Sequence, residues 1–364
     1  MRSRRIFWIA VAAAIVLVLG GAGIAVAAAR HARTGKGVAA APAPQPSPTP
    51  SPSGPPAGAD ITGPLDLLLI GVDTRTTIPD WEPHADSIML LHVNAGLDSG
   101  YITSLPRDLR VDMPAYPKAG FSGGRFKLTE AMSRGSRVPG SKRTNVPQGY
   151  DLLSKTISAY TGIKTFAAGA ILNFAGLSKL TDALGGVTIY VDELVKSHHR
   201  KPDGSLRPLV PGGGDFSGPQ AVYTVGTHKL VGWQALDYSR QRYGLKNGDY
   251  DRQRHQRQLV KALLGEAETA GLATDTAKLQ SVIGALGDTL VYLGGRNPME
   301  YAYALRNLNP STLTMVGLPG DGIGSGGAYA GEQLLPVGRG YLAAVAKGDP
   351  AAYLTAHPEL VNKR

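Results

Sequence analysis

The chain has 364 residues, with 38 Lys or Arg against 28 Asp or Glu, and a formal net charge of +10. That length allows one large domain or two ordinary ones, and 43% apolar content is enough for a core. The absence of cysteine excludes disulfides, thiolate metal sites and a cysteine nucleophile, and the basic balance favours phosphate-bearing partners or an anionic surface.

Phe7 to Ala29 is an uncharged apolar run of 23 residues, long enough to cross a bilayer. Arg2, Arg4 and Arg5 precede it and favour residues 1–6 on the cytoplasmic side with the remainder outside; Arg30, Arg33 and Lys36 weaken that asymmetry. Small residues at Ala27–Ala29 would also suit a cleaved signal peptide, but the run exceeds a usual signal h-region. An uncleaved single-pass anchor over 7–29 is therefore preferred, and on either reading the rest of the chain is exported. Residues 30–62 read as a linker. Within it Ala39–Pro56 is rich in Pro, Ala and Ser and has no apolar periodicity, so it should be a polyproline spacer reaching roughly 50 Å at about 3.1 Å per residue.

The globular part begins near Gly63. Leu65–Val72 and Ser87–Val93 are short continuous apolar runs, the pattern of strands buried on both faces. Tyr101–Leu105 and Val187–Val191 are two further expected strands. Helical patterns fall at Tyr150–Tyr160, Leu177–Leu184 and from Asp251 to Ala267. This alternation predicts an α/β domain with helices covering a central sheet. The glycine-rich stretch Lys201–Gly226 is expected to be a loop. Beyond Gly271, Ala277–Leu286 and Met299–Leu305 read as helices and Thr312–Leu318 as a strand, closing the domain at about 325 and leaving 326–364 as a tail.

Polar groups stand at the ends of the apolar strands: Asp73 and Arg75 after the first, Asp86 opening the second, and Arg107, Asp108 and Arg110 after the third. Ligands of open α/β sheets bind at strand ends, so this placement points to a site; surface ion pairing is the plain alternative for Arg107–Arg110. The basic stretch Asp237–Gln258 adds Arg240, Arg242, Arg252, Arg254 and Arg257, and guanidiniums so concentrated call for an anion. With a helix starting near Asp251, which could cap it, Arg252, Gln256, Leu259 and Leu263 share one face. Since the leucines should be buried, Arg252 and Gln256 fall at a pocket mouth, and Arg254 and Arg257 are expected on a solvated face. Arg240 and Arg242 point the same way only if the backbone between them is extended. His255, among arginines, should be hard to protonate and is expected chiefly to hydrogen-bond. His198 and His199, adjacent in a polar loop near Asp192, do not suggest convergence on one metal ion. Aspartates with many arginines fit divalent-metal-assisted phosphoryl transfer. No aromatic interleaving or nucleic-acid motif accompanies the arginines, and export makes nucleic acid an improbable partner.

In order along the chain, the segments DLLLIGVDTR, HADSIMLLHV, SLPRDLRVDMP, KLTEAM, NFAGLSKLTDALGGVTI, GTHKLVGWQALDYSRQR and GDYDRQRHQRQLVKAL resemble the LytR–CpsA–Psr proteins of bacterial cell envelopes. The match runs from about Gly63 to Ala267. The resemblance implies a single α/β/α domain over 63–325 with a central mixed sheet flanked by helices, behind one transmembrane helix and a Pro-rich linker. It implies a membrane-anchored transferase that moves a glycopolymer from undecaprenyl diphosphate to the 6-hydroxyl of N-acetylmuramic acid in peptidoglycan. Carried over by motif, Asp73 and Asp86 would hold Mg²⁺, with Mn²⁺ as a substitute. Asp86, Arg107, Arg240 and Arg242 would act in catalysis, and Arg75, Lys127, Arg252 and Gln256 would bind the diphosphate. An apolar tunnel between sheet and helices would take the lipid. Two positions depart from the family pattern: Thr129 replaces an asparagine in KLTEA, and His255 stands where an arginine is expected. Hydrolysis of the lipid diphosphate would use the same route, whereas non-enzymatic binding of anionic wall polymer would draw on the basic surface as a whole, Arg254 as much as Arg240.

Overall fold

A computed structural model describes residues 57–73, 82–272, 275–324 and 326–362. The expected anchor at 7–29, the linker before 57 and Arg75 lie outside the described residues.

Strands β1 (Leu65–Asp73), β2 (His84–Val93) and β3 (Gly100–Ser104) follow one another antiparallel, and β4 (Arg110–Met113) pairs with β5 (Gly124–Lys127) as a small ribbon. Helices α1 (Thr129–Ser136) and α2 (Val146–Thr161) come next. Asn145 starts α2 by accepting a hydrogen bond from the Gln148 N–H, Pro147 occupies its first turn, and Gly162 ends it at φ +82°, a left-handed turn that favours glycine. The chain returns through β6 (Ala168–Asn173), parallel to β1, into α3 (Phe174–Ala183). The expected strand at Val187–Val191 forms as β7, but outside the main sheet: after β8 (Val195–Lys196) and β9 (Val222–Tyr223), β10 (Gly226–Leu230) pairs with it. Then come α4 (Gly232–Arg240), α5 (Asp249–Thr269), α6 (Thr276–Leu286), β11 (Leu290–Gly294), α7 (Pro298–Ala304), β12 (Leu313–Val316), the ribbon of β13 (Gly320–Ile323) and β14 (Gly331–Leu334), and finally α8 (Pro336–Ala346) and α9 (Pro350–Ala356).

The main sheet is mixed, with strand order β11–β6–β1–β2–β3–β12. Period-two alternation divides each central strand between two cores. Leu65, Leu67 and Leu69 of β1 pack with Met89 and Leu91 of β2 against α3 to α7 and the β7–β10 pair. Leu68, Ile70 and Val72 face the other way with Ile88 and Leu90, under α1, α2, α8 and α9. This double burial is why these strands read as unbroken apolar runs. Residues 326–362 are not a tail: Tyr341, Leu342, Val345, Leu354 and Leu360 are buried in the second core, and the Leu360 carbonyl accepts from the Gly317 N–H. The loop 201–226 is tied down by Arg207, which donates to the backbone carbonyls of His198, Phe216 and Gly218.

Candidate functional site

The β1–β2 pairing breaks register between Gly71 and Val72, because Gly71 faces Ser87 while Val72 faces Ala85. Asp86 is the extra residue. A bulge re-aims the side chain it carries, and here both Asp86 and Asp73, at the end of β1, line the mouth of one cavity of about 310 Å³. Arg107, on the loop after β3, donates to Asp86 Oδ1 at 2.5 Å.

The opposite wall comes from α4 and α5. Arg240 ends α4, and Gln241 is extended (φ −68°, ψ 135°), so Arg240 and Arg242 both line the cavity. Gln241 points the other way into the protein, where it bonds buried Asp237 and the His198 N–H. Asp237 also accepts from Ser197 and Tyr223, which fixes the end of α4. Arg240 stacks over the Phe174 ring at 4.2 Å. On α5 the expected face holds: Arg252, Gln256, Leu259 and Leu263 all line the cavity. Arg252 donates to Asp249 at 2.8 Å and to the Asp86 carbonyl at 3.1 Å, and Gln256 donates to the Ser239 carbonyl at 3.3 Å. Inward of these polar groups the walls are apolar, with Leu69, Met89, Ala170, Leu172, Leu180 and Val260 among them.

The arginines are incompletely neutralised. Burial pushes Arg252 below the usual guanidinium range; Asp249 and Asp86 oppose this, while Arg107 and Arg242 reinforce it. Burial likewise lowers Arg240, against the pull of Asp73, Asp86 and Asp237. Arg107 differs: burial would lower it, but Asp86, Asp249 and Asp108 together raise it. The Nε atoms of Arg107 and Arg252 are buried with no hydrogen-bond partner among the described residues. Buried donors in that state point to a ligand that completes them. His199, which also lines the cavity, is pushed down to about 4 by burial and by Arg240, so its ring is neutral at pH 7.

Several expectations are corrected. Asp251 does not cap α5; Gly248 holds that position, and Asp251 lies in the first turn, accepting from the Asn247 N–H at 2.7 Å. Arg254 and Arg257 do not lie on a solvated face, because β7 and the end of the chain cover that side of α5. Arg254 pairs with Asp192, Glu193 and Asp251, and Arg257 is 3% exposed. Although burial opposes it, bonding from His255 and Arg254 holds Asp192 well below the usual carboxylate range. His255 is buried, stacked on Tyr238 at 4.7 Å, and faces Asp192 and Glu193 rather than the cavity. Lys127 stands one step outside, pairing at 3.2 Å with Asp108, which itself neighbours Arg107. Asp249 is the site residue that pattern reading missed. Its position three before Arg252 on a helix was the available signal.

Two carboxylates from adjacent strand ends, open to one arginine-lined mouth, fit Mg²⁺, which takes one or two protein carboxylates and fills its remaining positions with phosphate oxygens and water.

The sequence model of the LytR–CpsA–Psr family matches residues 29–334. The chain belongs to that family. Among curated relatives it is 28% identical over 268 residues to Biofilm regulatory protein A of Streptococcus mutans, covering 71% of this chain and 58% of that one. It is 28% identical over 297 residues to the cell wall biosynthesis protein LcpA of Corynebacterium glutamicum, covering 76% and 53%. It is 27% identical over 227 residues to the polyisoprenyl-teichoic acid–peptidoglycan teichoic acid transferase TagU of Enterococcus faecalis, covering 62% and 60%. The chain thus spans between half and two thirds of these relatives' lengths. Two solved structures share the fold: a Streptococcus agalactiae protein (TM-score 0.58, 22% identity, 78% of this chain and 88% of that one) and TagT bound to LI-WTA (0.54, 18%, 82% and 94%).

Proposed function

We propose that this family member is a phosphotransferase that moves a glycopolymer from an undecaprenyl-diphosphate carrier to the 6-hydroxyl of N-acetylmuramic acid in peptidoglycan, leaving a phosphodiester link. The observation that carries this reading is the two-part chemistry of the cavity, apolar within and arginine-lined at its mouth. A polyprenyl diphosphate has the same two parts. The name of the TagU relative describes a reaction of this class.

In this reading the carrier's tail enters between sheet and helices, and Arg75, Arg107, Arg240, Arg242 and Arg252 bind the diphosphate oxygens, with Lys127 at the border. Gln256 supports Arg240 from the Ser239 carbonyl. The acceptor hydroxyl oxygen bonds to the phosphorus nearer the sugar as its proton passes to water. The bond from that phosphorus to the bridging oxygen breaks, and the electron pair leaves with undecaprenyl phosphate. Charge grows on the leaving oxygens, where guanidiniums already in place stabilise it without reorganising. Asp73 and Asp86 would hold Mg²⁺, or Mn²⁺, which when bound supplies further neutralisation of the diphosphate. Since Asp86 already accepts from Arg107, it is better suited to holding a cation than to taking the hydroxyl proton. The reaction is placed outside the membrane, with residues 7–29 as a single-pass anchor and 1–6 cytoplasmic.

The test is incubation of the full chain in detergent with a lipid-diphosphate oligosaccharide, wall fragments and Mg²⁺. Covalent attachment of saccharide to the wall, lost in Asp86→Ala, is the expected result. Release of free phosphorylated saccharide alone would make the protein a pyrophosphatase.

A further inference from the structure

The stretch from Tyr190 to Tyr243 keeps much of its apolar surface outside. Nine of the ten large apolar or aromatic side chains exposed among the described residues lie within it, so the exposure is gathered rather than scattered. Single exposed apolar residues are ordinary, but a gathering of them marks an interaction surface. Leu206 and Leu209 are the most exposed, at 64% and 63%. Leu206 leads into a short hairpin, and Leu209 stands on it, bridged to Phe216. The Val210 N–H donates to the Asp215 carbonyl at 2.9 Å across the turn, and Gly212–Gly214 add no side chains there to cover the leucines.

The two leucines are held outward. Arg207 between them is buried, and its guanidinium fills the inside of the loop by donating to the carbonyls of His198, Phe216 and Gly218. Turning either leucine inward would strand that buried charge without its partners. The hairpin also stands beside the cavity. Phe216 packs on the cavity-lining His199 with ring centroids 5.1 Å apart, and on His198, which stacks at 4.5 Å on Tyr243 of the same wall.

Positive charge accompanies this apolar surface. From Leu194 to Val231 the chain has five Lys or Arg against two Asp, and although Arg207 is buried, Lys196 and Lys229 are exposed. Lysine is scarce at protein–protein interfaces. Leucines with lysines suit the boundary of an anionic bilayer, where apolar side chains reach the acyl region and ammonium groups meet phosphate head groups.

We propose that the hairpin over 206–216 docks on an anionic lipid bilayer, with Leu206 and Leu209 in the interface and the lysines supplying electrostatic attraction. This sets the cavity mouth at the membrane surface. The use of such a contact rests on the transferase reading, in which the carrier comes from a bilayer; the contact itself does not. The chain enters the domain at the far end of the sheet, where Gly63 lies against Ala95 just after β2, whereas Asp86 is near the start of that strand. The ten residues of β2 separate those ends by about 33 Å, which a spacer reaching roughly 50 Å covers.

Because the chain has no cysteine, one introduced cysteine carries one fluorophore. Leu206→Cys and Leu209→Cys full chains, and Ala95→Cys for the far end, are each labelled with NBD. They are reconstituted in vesicles of phosphatidylcholine and phosphatidylglycerol that contain a spin-labelled phospholipid. Both hairpin labels should shift to the blue and lose about half their emission to the spin label, while the Ala95 label keeps its emission. Omitting phosphatidylglycerol, or adding Lys196→Glu, Lys201→Glu and Lys229→Glu together, should reduce the quenching at least twofold. The proposal is overturned if the hairpin labels are quenched no more than the Ala95 label, or equally without phosphatidylglycerol. A blue shift without quenching by lipid would also overturn it, and would mean that protein covers the leucines. None of these readings needs a substrate, so failure of transfer and failure of docking are told apart.

Discussion

Arg240 and Arg254 come from the same basic stretch and do different work. Arg240 faces the cavity with its charge only partly met, so Arg240→Ala should reduce transfer about 10²- to 10³-fold with little change in melting temperature. Arg254 joins three carboxylates, and its loss leaves them facing one another. Arg254→Ala should cost about 1–3 kcal/mol, discounted from a fully buried pair because the cluster is partly solvated. Thermal melts beside initial rates separate the two effects. His199 gives a pH signature. Its folded value is about 4, depressed by burial and Arg240 with smaller contributions from His198, Arg200 and Arg207, against about 6.5 when unfolded. Between those values the unfolded chain binds more protons, so stability rises with pH there and falls as pH drops from 6.5 towards 4. The loss below pH 4 is at most about 3 kcal/mol, and His199→Gln should flatten the Tm profile across that window. At this scale the sequence revealed the arginines facing the cavity, because helical spacing ties Arg252 to Leu259 and Leu263. It did not reveal that Arg254 and Arg257 are buried, since what covers them is Asp192 and Glu193 from after β7 and Asn362 from the end of the chain.

Among the elements, β1, β2 and β3 were legible because both their faces meet cores. Strand β6, which pairs directly with β1, was not. Its sequence AGAILN is rich in small residues, and the structure explains why. A Cβ at Gly169 would fall 2.1 Å from the Tyr150 hydroxyl, so the side chain from α2 occupies the space above the strand. On the other face Ala170 lines the cavity, and its small size leaves room for a ligand. The bulge that presents Asp86 left no trace in composition either. Because Ala170 lines the cavity, Ala170→Leu should fill part of it at a stability cost of about 1–3 kcal/mol. Turnover of a long polyprenyl carrier should fall about tenfold while a short-chain carrier is nearly unaffected, a difference read from rates on the two substrates. Equal effects on both would place the tail elsewhere.

At the scale of the whole molecule, one sheet separates two cores, and the second is finished by the last helices. Ending the chain at residue 325 would remove Tyr341, Leu342 and Val345 from under the sheet and leave Val316 and Leu318 uncovered. Such a protein should give no cooperative melt, against a single sharp transition for the full chain; a normal melt would mean the helices are dispensable. The domain does not close after the Thr312–Leu318 strand: Gly320–Ile323 and Gly331–Leu334 pair as the β13–β14 ribbon, which leads the chain back into the fold. The central claim is that the arginine-lined mouth and the apolar cavity act on one substrate as a phosphotransferase. It is tested most directly with a lipid-diphosphate oligosaccharide carrying ³²P only at the phosphorus nearer the sugar, incubated with the full chain, Mg²⁺ and wall fragments. The label should appear in the insoluble wall fraction, in a linkage absent when Arg240→Ala protein is used. Label recovered only as soluble sugar phosphate, or retained on the lipid, would contradict the claim.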